Sequence, residues 1–230
     1  MIELSDLKQL APAVLEELNR LCVKKTFQKG DMIYFPGEET ERIFLLLSGE
    51  VKLYQSSAGN KVVLEILKAG QFFGDLNFAH QGYNFRPEIF AQSEMDTTLC
   101  AMSTADFNQV LNKYPALAMM VLTSLRNRLH LAESKIKDLA TSPAEVRVIN
   151  ELIRYSLNHG QETNGFLVLE EKLTHQFLAD MTGMARETVS KTLQALAKTG
   201  LIEYSPDRLI KLNIEKISKS CPYCLRLQKT

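Results

Sequence analysis

The sequence predicts an α+β protein with an N-terminal antiparallel β domain, a long helix and a C-terminal helix-turn-helix. Short apolar segments broken by glycine fill residues 25–103, which is typical of strands joined by tight turns. After Ser103 the apolar residues change to helical spacing. From Thr174 a short helix, a glycine turn and a longer helix follow one another. We therefore expect three regions along the chain, residues 1–114, 115–141 and 142–230.

The N-terminal region alternates apolar segments with turn residues. "DMIYF", "RIFLLL", "EVKLY" and "VVLEIL" are separated by "PGEE", "SGE" and "SSAGN". Strands this short and this regularly interrupted predict a sandwich or a roll. Leucines at helical spacing in "SDLKQLAPAVLEELNRL" predict a helix in front of it.

The long helix carries a narrow apolar stripe. Ser103 and Asp106 predict the start of a short helix, and Pro115 suits the first turn of the long one. The stripe has a period of 3.5 and consists of Ala118, Leu122, Leu125, Leu129, Ala132, Ile136 and Leu139. One stripe also suits a helix that lies on its own domain. The strict heptad spacing favours pairing of this helix with a second copy.

A new helix is predicted where the long one ends. In "ATSPAEV" Ser142 can cap, Pro143 suits the first helical position and Glu145 completes a capping box. Gly160 marks the end of that helix.

The segment from Thr174 to Lys198 predicts a helix-turn-helix. Thr174 can cap the first helix, and Gly183 lies in the turn. The second helix buries Val189, Leu193 and Leu196 on one face. Its opposite face carries Arg186, Glu187, Ser190, Lys191 and Gln194. "LIEYSPDRLIKL" then predicts a hairpin, so the whole unit is a winged helix.

The polar face of that second helix suits contact with DNA bases. An Arg guanidinium matches the O6 and N7 acceptors of guanine, and a Glu carboxylate accepts from cytosine N4. Residues at the N-terminal end of a recognition helix reach the base edges first. The alternative is that Glu187 only favours the positive end of the helix dipole.

Composition excludes several classes of protein. The chain has 230 residues, 45% of them apolar and 23% charged, which is ordinary for a globular protein. It lacks a run of about 18 uncharged apolar residues, and "MIELSDLKQL" does not resemble a signal peptide, so we expect a cytoplasmic protein. Residues 1–140 hold 15 basic and 17 acidic side chains, and residues 141–230 hold 12 and 10. This charge balance permits nucleic-acid binding by the C-terminal part.

Over nearly its whole length the sequence resembles the transcription regulators of the CRP/FNR superfamily, and within it the cyclic-AMP receptor branch. The resemblance lies in "FQKGDMIYFPGEETERIFLLLSGEVKLY", "LKAGQFFGDL", the long helix and "LTHQFLADMTGMARETVSKTLQALAKTGLIEY". It implies a cyclic-nucleotide-binding-type β-roll, a long dimerisation helix with Leu122, Leu125, Leu129 and Ile136 at the seam, and a winged helix-turn-helix.

The resemblance also implies roles for residues at the DNA surface. Arg186, Glu187 and Lys191 would read bases, with Ser190 near them. Thr174, Gln176 and Thr188 would hold phosphates. Lys191 stands where this branch usually has Arg, so it would discriminate less strongly between bases at its contact. The target would be a two-fold symmetric site with TGTGA-like half-sites.

The nucleotide pocket departs from the family pattern. In the segment after Gly74, Asp75 replaces the usual Glu, and Arg86 is followed by Pro87 where the family has Ser. On the long helix Ala132 and Glu133 replace a Thr-Ser pair that contacts adenine in the family. These changes argue against cyclic AMP as the effector and favour a different small ligand or none.

The sequence also lacks a complete set of ligands for haem or for an iron-sulfur cluster. His80 occupies the position of a haem ligand in the carbon-monoxide sensors of the family, but Phe78 replaces their thiolate. The clustered N-terminal cysteines of the iron-sulfur members are reduced to Cys22. We therefore expect neither haem nor an iron-sulfur cluster.

The four cysteines are too few and too unevenly placed for a secreted disulfide scaffold, so they are expected to be mostly thiols in a reducing compartment. Cys221 and Cys224 form "CPYC", which has the spacing of a redox motif but lies outside a thioredoxin-like context. A pair of inert tail thiols, a thiol switch and half of a zinc site all remain open for it.

The sequence therefore predicts a homodimeric DNA-binding transcription regulator that binds RNA polymerase and is controlled by a small molecule or a redox signal. The polymerase contact is expected at "NHGQETNG". The alternatives are a stand-alone cyclic-nucleotide-binding module and a thiol redox protein that uses "CPYC". We expect no catalytic activity, because the chain lacks a Ser-His-Asp set, a zinc-protease motif and a phosphate loop.

Overall fold

The structure of the protein is a computed structural model. It describes residues 11–38, 41–57, 60–76 and 88–220, in two compact units, Met1–Ala132 and Glu133–Thr230. Within these described ranges no helix combines the length and the apolar character needed to cross a membrane.

The N-terminal unit contains two four-stranded antiparallel sheets, with strand orders β1-β8-β3-β6 and β2-β7-β4-β5. Its elements are α1 (Pro12–Leu21), β1 (Val23–Phe27), β2 (Met32–Tyr34), β3 (Arg42–Ser48), β4 (Glu50–Ser57), β5 (Asn60–Lys68), β6 (Phe72–Gly74), β7 (Phe90–Ser93), β8 (Thr97–Ser103), α2 (Thr104–Lys113) and α3 (Pro115–Thr141). The last helix continues past the boundary of the unit. The two antiparallel sheets agree with the predicted roll.

Two apolar clusters form the core of this unit. One contains Phe44, Leu46, Phe73 and Leu99 of the sheets. The other joins the roll to its helices, through Leu18 of α1, Phe107 of α2, and Leu117 and Val121 of α3. The start of the long helix is therefore packed into its own domain.

Two glycines are required by the turns of the roll. Gly49 has φ +85°, and a Cβ there would lie 2.5 Å from the Asp96 carbonyl oxygen. Gly74 has φ +97°, and its Cβ would lie 2.5 Å from the Arg42 carbonyl oxygen. Because both neighbours are backbone atoms, a side chain at either position would push the backbone segments apart.

The predicted starts of α2 and α3 are confirmed. The Ser103 hydroxyl oxygen accepts a hydrogen bond from the Asp106 amide at 3.0 Å, and Ser103 is the N-cap of α2. The long helix begins at Pro115, where the missing N–H of proline would have had no intrahelical partner.

The C-terminal unit is a winged helix-turn-helix. A four-stranded antiparallel sheet of order β11-β12-β10-β9 accompanies its helices. Its elements are α4 (Ala144–His159), β9 (Gly160–Thr163), β10 (Phe166–Leu169), α5 (His175–Thr182), α6 (Arg186–Thr199), β11 (Ile202–Tyr204), β12 (Ile210–Asn213) and α7 (Ile214–Ser220). Val148, Leu152, Leu193, Leu196 and Leu212 are buried in its core.

The predicted capping box at the start of α4 is wrong. The N-cap is Pro143, and it makes no side-chain cap hydrogen bond. Ser142 instead extends the end of α3: its amide donates to the Asp138 carbonyl oxygen at 3.0 Å, and its hydroxyl donates to Asp138 Oδ1 at 3.4 Å. The Ser142 hydroxyl therefore bonds to the Asp138 carboxylate and does not form the predicted capping box.

The expectation of mostly thiols does not hold for the two cysteines that the structure describes. Cys22 and Cys100 form a disulfide, with their Cα atoms 5.1 Å apart. Cys22 follows α1 directly, and Cys100 lies in β8, next to β1. The folding of the roll brings together two cysteines that are 78 residues apart in sequence, and a count of cysteines does not predict this pairing.

Candidate nucleic-acid interface and sensor domain

The helix-turn-helix begins with a capped helix. The Thr174 hydroxyl oxygen accepts a hydrogen bond from the Phe177 amide at 3.0 Å, so Thr174 is the N-cap of α5 as predicted. The turn follows at Gly183, whose φ of +63° is the left-handed conformation that glycine adopts without steric cost. These two signals fix where α5 starts and ends, and thereby where α6 begins.

Helix α6 has an apolar face and a charged face, as the sequence predicts. Val189, Leu193 and Leu196 are buried against the rest of the unit. The exposed side chains at its N-terminal end are Arg186, Glu187, Thr188 and Lys191. The first turns of α6 therefore present two cations and one carboxylate to the surroundings.

The charged side chains of this surface are available for a ligand. Among the described residues Arg186, Glu187 and Lys191 form no salt bridge and no side-chain hydrogen bond. Opposite charges four residues apart, as Glu187 and Lys191 are, commonly pair on a helix surface. Here they keep their full hydrogen-bonding capacity for another molecule.

Ser190 differs from the other three predicted base-reading residues. It is only half-exposed, and its hydroxyl donates to the Arg186 carbonyl oxygen at 2.9 Å. The oxygen of the same hydroxyl lies 2.7 Å from Nδ1 of His175, the first residue of α5. Sequence reasoning missed His175, because its partner lies 15 residues away on another helix.

The predicted phosphate-binding residues are all exposed. Gln176 donates through Nε2 to Asp180 Oδ1 at 2.7 Å, so its amide is already oriented along α5. The hydroxyl hydrogen of Thr174 remains free to donate, because only its oxygen is used in capping. Thr188 lies in the first turn of α6.

A buried ionic cluster fixes α4 to the last turns of α3. Arg154 contacts Asp138 Oδ2 and Glu151 Oε2, both at 2.8 Å, and Lys135 lies 3.2 Å from Glu151 Oε1. Asn150 also donates to Asp138 Oδ1 at 2.8 Å. Glu151 is 2% exposed and Asp138 is 7% exposed. Sequence reasoning missed this cluster as well.

Of the predicted effector-pocket residues that can be described, Asp75 is engaged in an internal contact, whereas Ala132 and Glu133 are not buried. Gly74 ends β6, and Asp75 after it is buried, with its Oδ2 accepting a hydrogen bond from the Thr104 hydroxyl at 3.1 Å. Ala132 and Glu133 are exposed on α3. Arg86 lies outside the described residues, as does His80. The carboxylate of Asp75 thus joins the roll to α2.

A different residue of α3 reaches into the roll. Arg128 lies 2.7 Å from Glu65 Oε2 and donates through Nη1 to the Phe72 carbonyl oxygen at 3.4 Å. Burial raises the pKa of Tyr34 to about 12, and the nearby charge of Arg128 opposes that rise. The structure therefore identifies Arg128 as a cation of α3 that contacts the sensor roll. In the sequence Arg128 stands beside the predicted seam residues, so the sequence alone predicts that its side chain is solvated.

The apolar stripe of α3 is largely exposed on the single chain. Leu122 is 56% exposed, Leu129 is 60% exposed and Ile136 is 65% exposed. Leu125 differs, because it is half-buried against the core cluster that contains Leu117 and Val121. Three of the predicted seam residues, Leu122, Leu129 and Ile136, are thus uncovered on the single chain. The fourth, Leu125, packs partly against the core.

The predicted redox or metal site at the C-terminus, Cys221 and Cys224, lies outside the described residues. Within the part of the chain that is described, no group of three or more His, Cys, Asp or Glu side chains could hold a metal ion.

Comparison with known proteins identifies both units. The family model of the cyclic nucleotide-binding domain matches residues 24–114, and that of the Crp-like helix-turn-helix domain matches residues 146–219. The chain belongs to the CRP/FNR family of transcription regulators. It is thus a DNA-binding regulator with an effector-binding domain, and homodimers are typical of its family.

Its relatives span nearly the whole chain. The global nitrogen regulator of Nostoc sp. is 27% identical over 209 residues, which cover 90% of each chain. The cyclic AMP receptor protein of Thermus thermophilus is 27% identical and covers 86% of this regulator and 87% of its own length. A solved CRP/FNR-family regulator from Thermus thermophilus superposes with a TM-score of 0.69 at 28% identity, covering 86% and 97%. A CooA mutant from Carboxydothermus hydrogenoformans, at 24% identity and a TM-score of 0.79, shows the same fold over 95% of each chain.

Proposed function

We propose that the regulator reads a two-fold symmetric DNA site by placing α6 in the major groove. The observation that carries this proposal is the set of three exposed side chains, Arg186, Glu187 and Lys191, which have no internal partner in the described structure. Arg186 contacts guanine O6 and N7, and Glu187 accepts from cytosine N4. Lys191 contacts a third base as a single point charge, with Ser190 beside it.

Residues around the start of both helices hold the DNA backbone. Thr174 and Thr188 donate hydroxyl hydrogens to phosphate oxygens, and Gln176 donates its second amide hydrogen. These contacts position the regulator on the duplex, whereas the α6 contacts select the sequence. The target has TGTGA-like half-sites.

Replacing Arg186 with alanine tests the base-reading role. We expect binding to a symmetric duplex with TGTGA half-sites to weaken by about 1–3 kcal/mol per half-site. The loss of discrimination should be largest at one G·C base pair. Substituting that pair should weaken binding by the parent regulator, whereas the variant should no longer distinguish it from its substitutes. Fluorescence anisotropy with the parent duplex and with single-base-pair variants measures both effects.

Lys198→Ala is the matched control, since Lys198 is an exposed cation in the last turn of the same helix. It should weaken binding little and leave the preference among duplexes unchanged. If Arg186→Ala weakened binding to every duplex by the same factor, Arg186 would be a phosphate contact and the proposed base reading would be incorrect.

Dimerisation through α3 brings two such helices together. The exposed Leu122, Leu129 and Ile136 recur at seven-residue intervals, which is the spacing of one position of a coiled-coil heptad. A second copy of α3 would cover them. Half-sites one helical turn apart would then each receive one α6.

The signal that controls DNA binding is a small molecule or a redox change, and the Cys22–Cys100 disulfide favours the redox alternative. Cyclic AMP is disfavoured because Asp75 is buried and bonded to Thr104. Cys100 belongs to the core cluster that contains Leu117 and Val121 of α3. A change in the oxidation state of Cys100 therefore affects the packing at the place where α3 joins the roll.

Peroxide is an oxidant that would close this disulfide. Hydrogen peroxide accepts one electron from each sulfur, the two thiols lose their protons, the S–S bond forms, and two molecules of water leave. Cys22 is half-exposed whereas Cys100 is fully buried, so Cys22 is the sulfur that the oxidant reaches first.

Reduction should therefore destabilise the N-terminal unit. A disulfide that closes a loop of this length contributes about 4 kcal/mol through the entropy of the unfolded chain. We expect dithiothreitol to lower the melting temperature of the regulator and to change its affinity for the duplex. Cys22→Ser should melt like the reduced regulator under both conditions. Equal melting temperatures with and without reductant in the parent chain would contradict a redox role for this pair.

The exposed end of β9, with Gln161, Glu162 and Thr163, is the surface that contacts RNA polymerase. The regulator acts in the cytoplasm, and it acts by binding and not by catalysis. Its relatives are transcription regulators, which supports both statements.

A further inference from the structure

The turn between α5 and α6 is contacted by two side chains from outside the helix-turn-helix. Arg147 of α4 donates through Nη2 to the Thr182 carbonyl oxygen at 2.6 Å. Leu139 of α3 lies over Gly183, because its Cδ2 is 3.8 Å from the place that a Cβ on this glycine would occupy. All four residues belong to the C-terminal unit. We refer to Arg147 and Leu139 together as the turn clamp.

The Thr182 carbonyl needs a partner from another element. Thr182 is the last residue of α5, and the last four carbonyl oxygens of an α-helix have no intrahelical N–H to accept from. The amides of Gly183 and Met184 both donate to the Ala179 carbonyl oxygen instead. Thr182 is buried, so an unpaired carbonyl there would be costly. The guanidinium of Arg147 supplies the missing donor, and its positive charge is favourable at the C-terminal end of a helix.

Arg147 makes no ion pair that would explain its position. In the described part of the chain it forms no salt bridge, and the Thr182 carbonyl is the only hydrogen-bond partner of its side chain. Arg154, the other cation of α4, contacts two carboxylates at 2.8 Å. The half-buried guanidinium of Arg147 is therefore committed to the turn.

Leu139 contacts the turn from a fixed base. Gly183 has φ +63° and no side chain, so the backbone of the turn is open to packing, and Leu139 fills that place. Asp138, the residue before it, is held by Arg154 of α4. The last turns of α3 are thereby joined to the helix that carries Arg147. Both clamp residues stand on one framework, and the end of the proposed dimer helix contacts the turn directly.

The turn lies immediately before the proposed base-reading residues. Only two residues separate Gly183 from Arg186, the first residue of α6. We propose that the turn clamp positions α6 for base reading, by fixing the turn from which Arg186 and Glu187 project. This role rests on the proposed placement of α6 in the major groove. A misplacement of the turn would move those side chains away from the base edges, whereas contacts to the DNA backbone tolerate it better.

Arg147→Met tests the proposal, since it removes the donor and the charge but keeps most of the volume. We expect affinity for a fluorescein-labelled symmetric duplex with TGTGA half-sites to fall about tenfold, the usual cost of losing a hydrogen bond from a charged donor. Affinity for a scrambled duplex of equal length should change by less than about twofold, because the phosphate contacts remain. The slope of affinity against salt concentration should also stay the same. Anisotropy is measured at a temperature at which circular dichroism shows both proteins fully folded.

Two further variants separate positioning from general stability. Arg147→Lys should keep most of the specific affinity, because a single N–H donor to one oxygen is a contact that an ammonium can also make. Leu139→Ala should lower the ratio of specific to scrambled affinity while the protein still sediments as a dimer. The double variant Arg147→Met with Leu139→Ala should lose less than the product of the single losses, since both residues act on one turn.

Lys137→Met and Leu157→Ala are the matched controls. They remove an exposed cation of α3 and a leucine of α4 that is 46% exposed, compared with 54% for Leu139. Both should keep the parent ratio of specific to scrambled affinity.

A lower melting temperature in Arg147→Met with an unchanged ratio would make its role purely structural and would overturn the proposal. So would an equal loss on both duplexes with a shallower salt slope, because Arg147 would then be a phosphate contact. An unchanged ratio in Leu139→Ala would remove that residue from the clamp and overturn the proposal as stated. Failure of the base reading itself has a different signature, because the parent regulator would then bind the specific and scrambled duplexes equally.

Discussion

Replacing Arg154 with methionine should lower the free energy of unfolding of the C-terminal unit by about 3–5 kcal/mol, because it leaves buried carboxylates without their main cation. Arg154 contacts both Asp138 and Glu151 at 2.8 Å, and its side chain is only 8% exposed. Lys135 still reaches Glu151 in the variant, so Asp138 bears most of the loss. Methionine fills a similar volume, which restricts the change to charge and hydrogen bonding.

Urea denaturation followed by circular dichroism measures this change. The matched control is Lys219→Met, which breaks an ion pair with Glu215 whose side chains are 73% and 76% exposed. That loss should be within about 0.5 kcal/mol, since exposed pairs contribute little. A double variant, Arg154→Met with Asp138→Asn, should recover part of the stability. Equal losses in Arg154→Met and Lys219→Met would show that the buried cluster is not held together by charge.

Replacing Leu129 with glutamate should convert the regulator to a monomer at micromolar concentration. Leu129 is 60% exposed on the single chain and lies between Leu122 and Ile136 in the proposed seam. In a dimer the substitution removes about 2 kcal/mol of apolar burial per protomer and adds an unpaired charge to the interface. Over two protomers the expected loss is about 6 kcal/mol, which raises the dimer dissociation constant about 10⁴-fold.

Sedimentation velocity gives the oligomeric state, and far-ultraviolet circular dichroism checks that the chain remains folded. His130→Glu introduces the same charge at an exposed neighbouring position off the stripe and should remain dimeric. The monomeric variant should also lose most of its affinity for a symmetric duplex, because two half-sites are no longer bound together. A Leu129→Glu protein that still sediments as a dimer would place the interface elsewhere.

Features that depend on a few neighbouring residues could be predicted from the sequence. Ser103 and Thr174 are helix caps because a hydroxyl and an amide three residues later are enough to form the bond. Gly183 is in the left-handed conformation that the turn requires. The faces of α6 follow from the helical period alone. These local signals are sufficient to place the candidate DNA surface on the second of the two helices.

Features that depend on tertiary proximity could not be predicted. The disulfide joins cysteines 78 residues apart, and Arg154 gathers two carboxylates from two helices. Ser142 has the pattern of a cap, yet Asp138 takes its hydroxyl. Leu125 has the spacing of a seam residue, yet the core of the roll covers part of it. In each case the decisive partner is set by the folded chain, and the local pattern of residues does not reveal it.

The cap at Thr174 affects how genetic data on this regulator should be interpreted. The oxygen of its hydroxyl stabilises α5, while the hydrogen of the same group is available to the proposed DNA backbone. Loss of transcription in Thr174→Ala would therefore combine a frayed helix with a missing phosphate contact. Serine at this position preserves both the acceptor oxygen and the donor hydrogen of the hydroxyl. Aspartate preserves the cap but brings a negative charge towards phosphate. Only the comparison of these three alleles separates a defect in folding from a defect in promoter occupancy at this position.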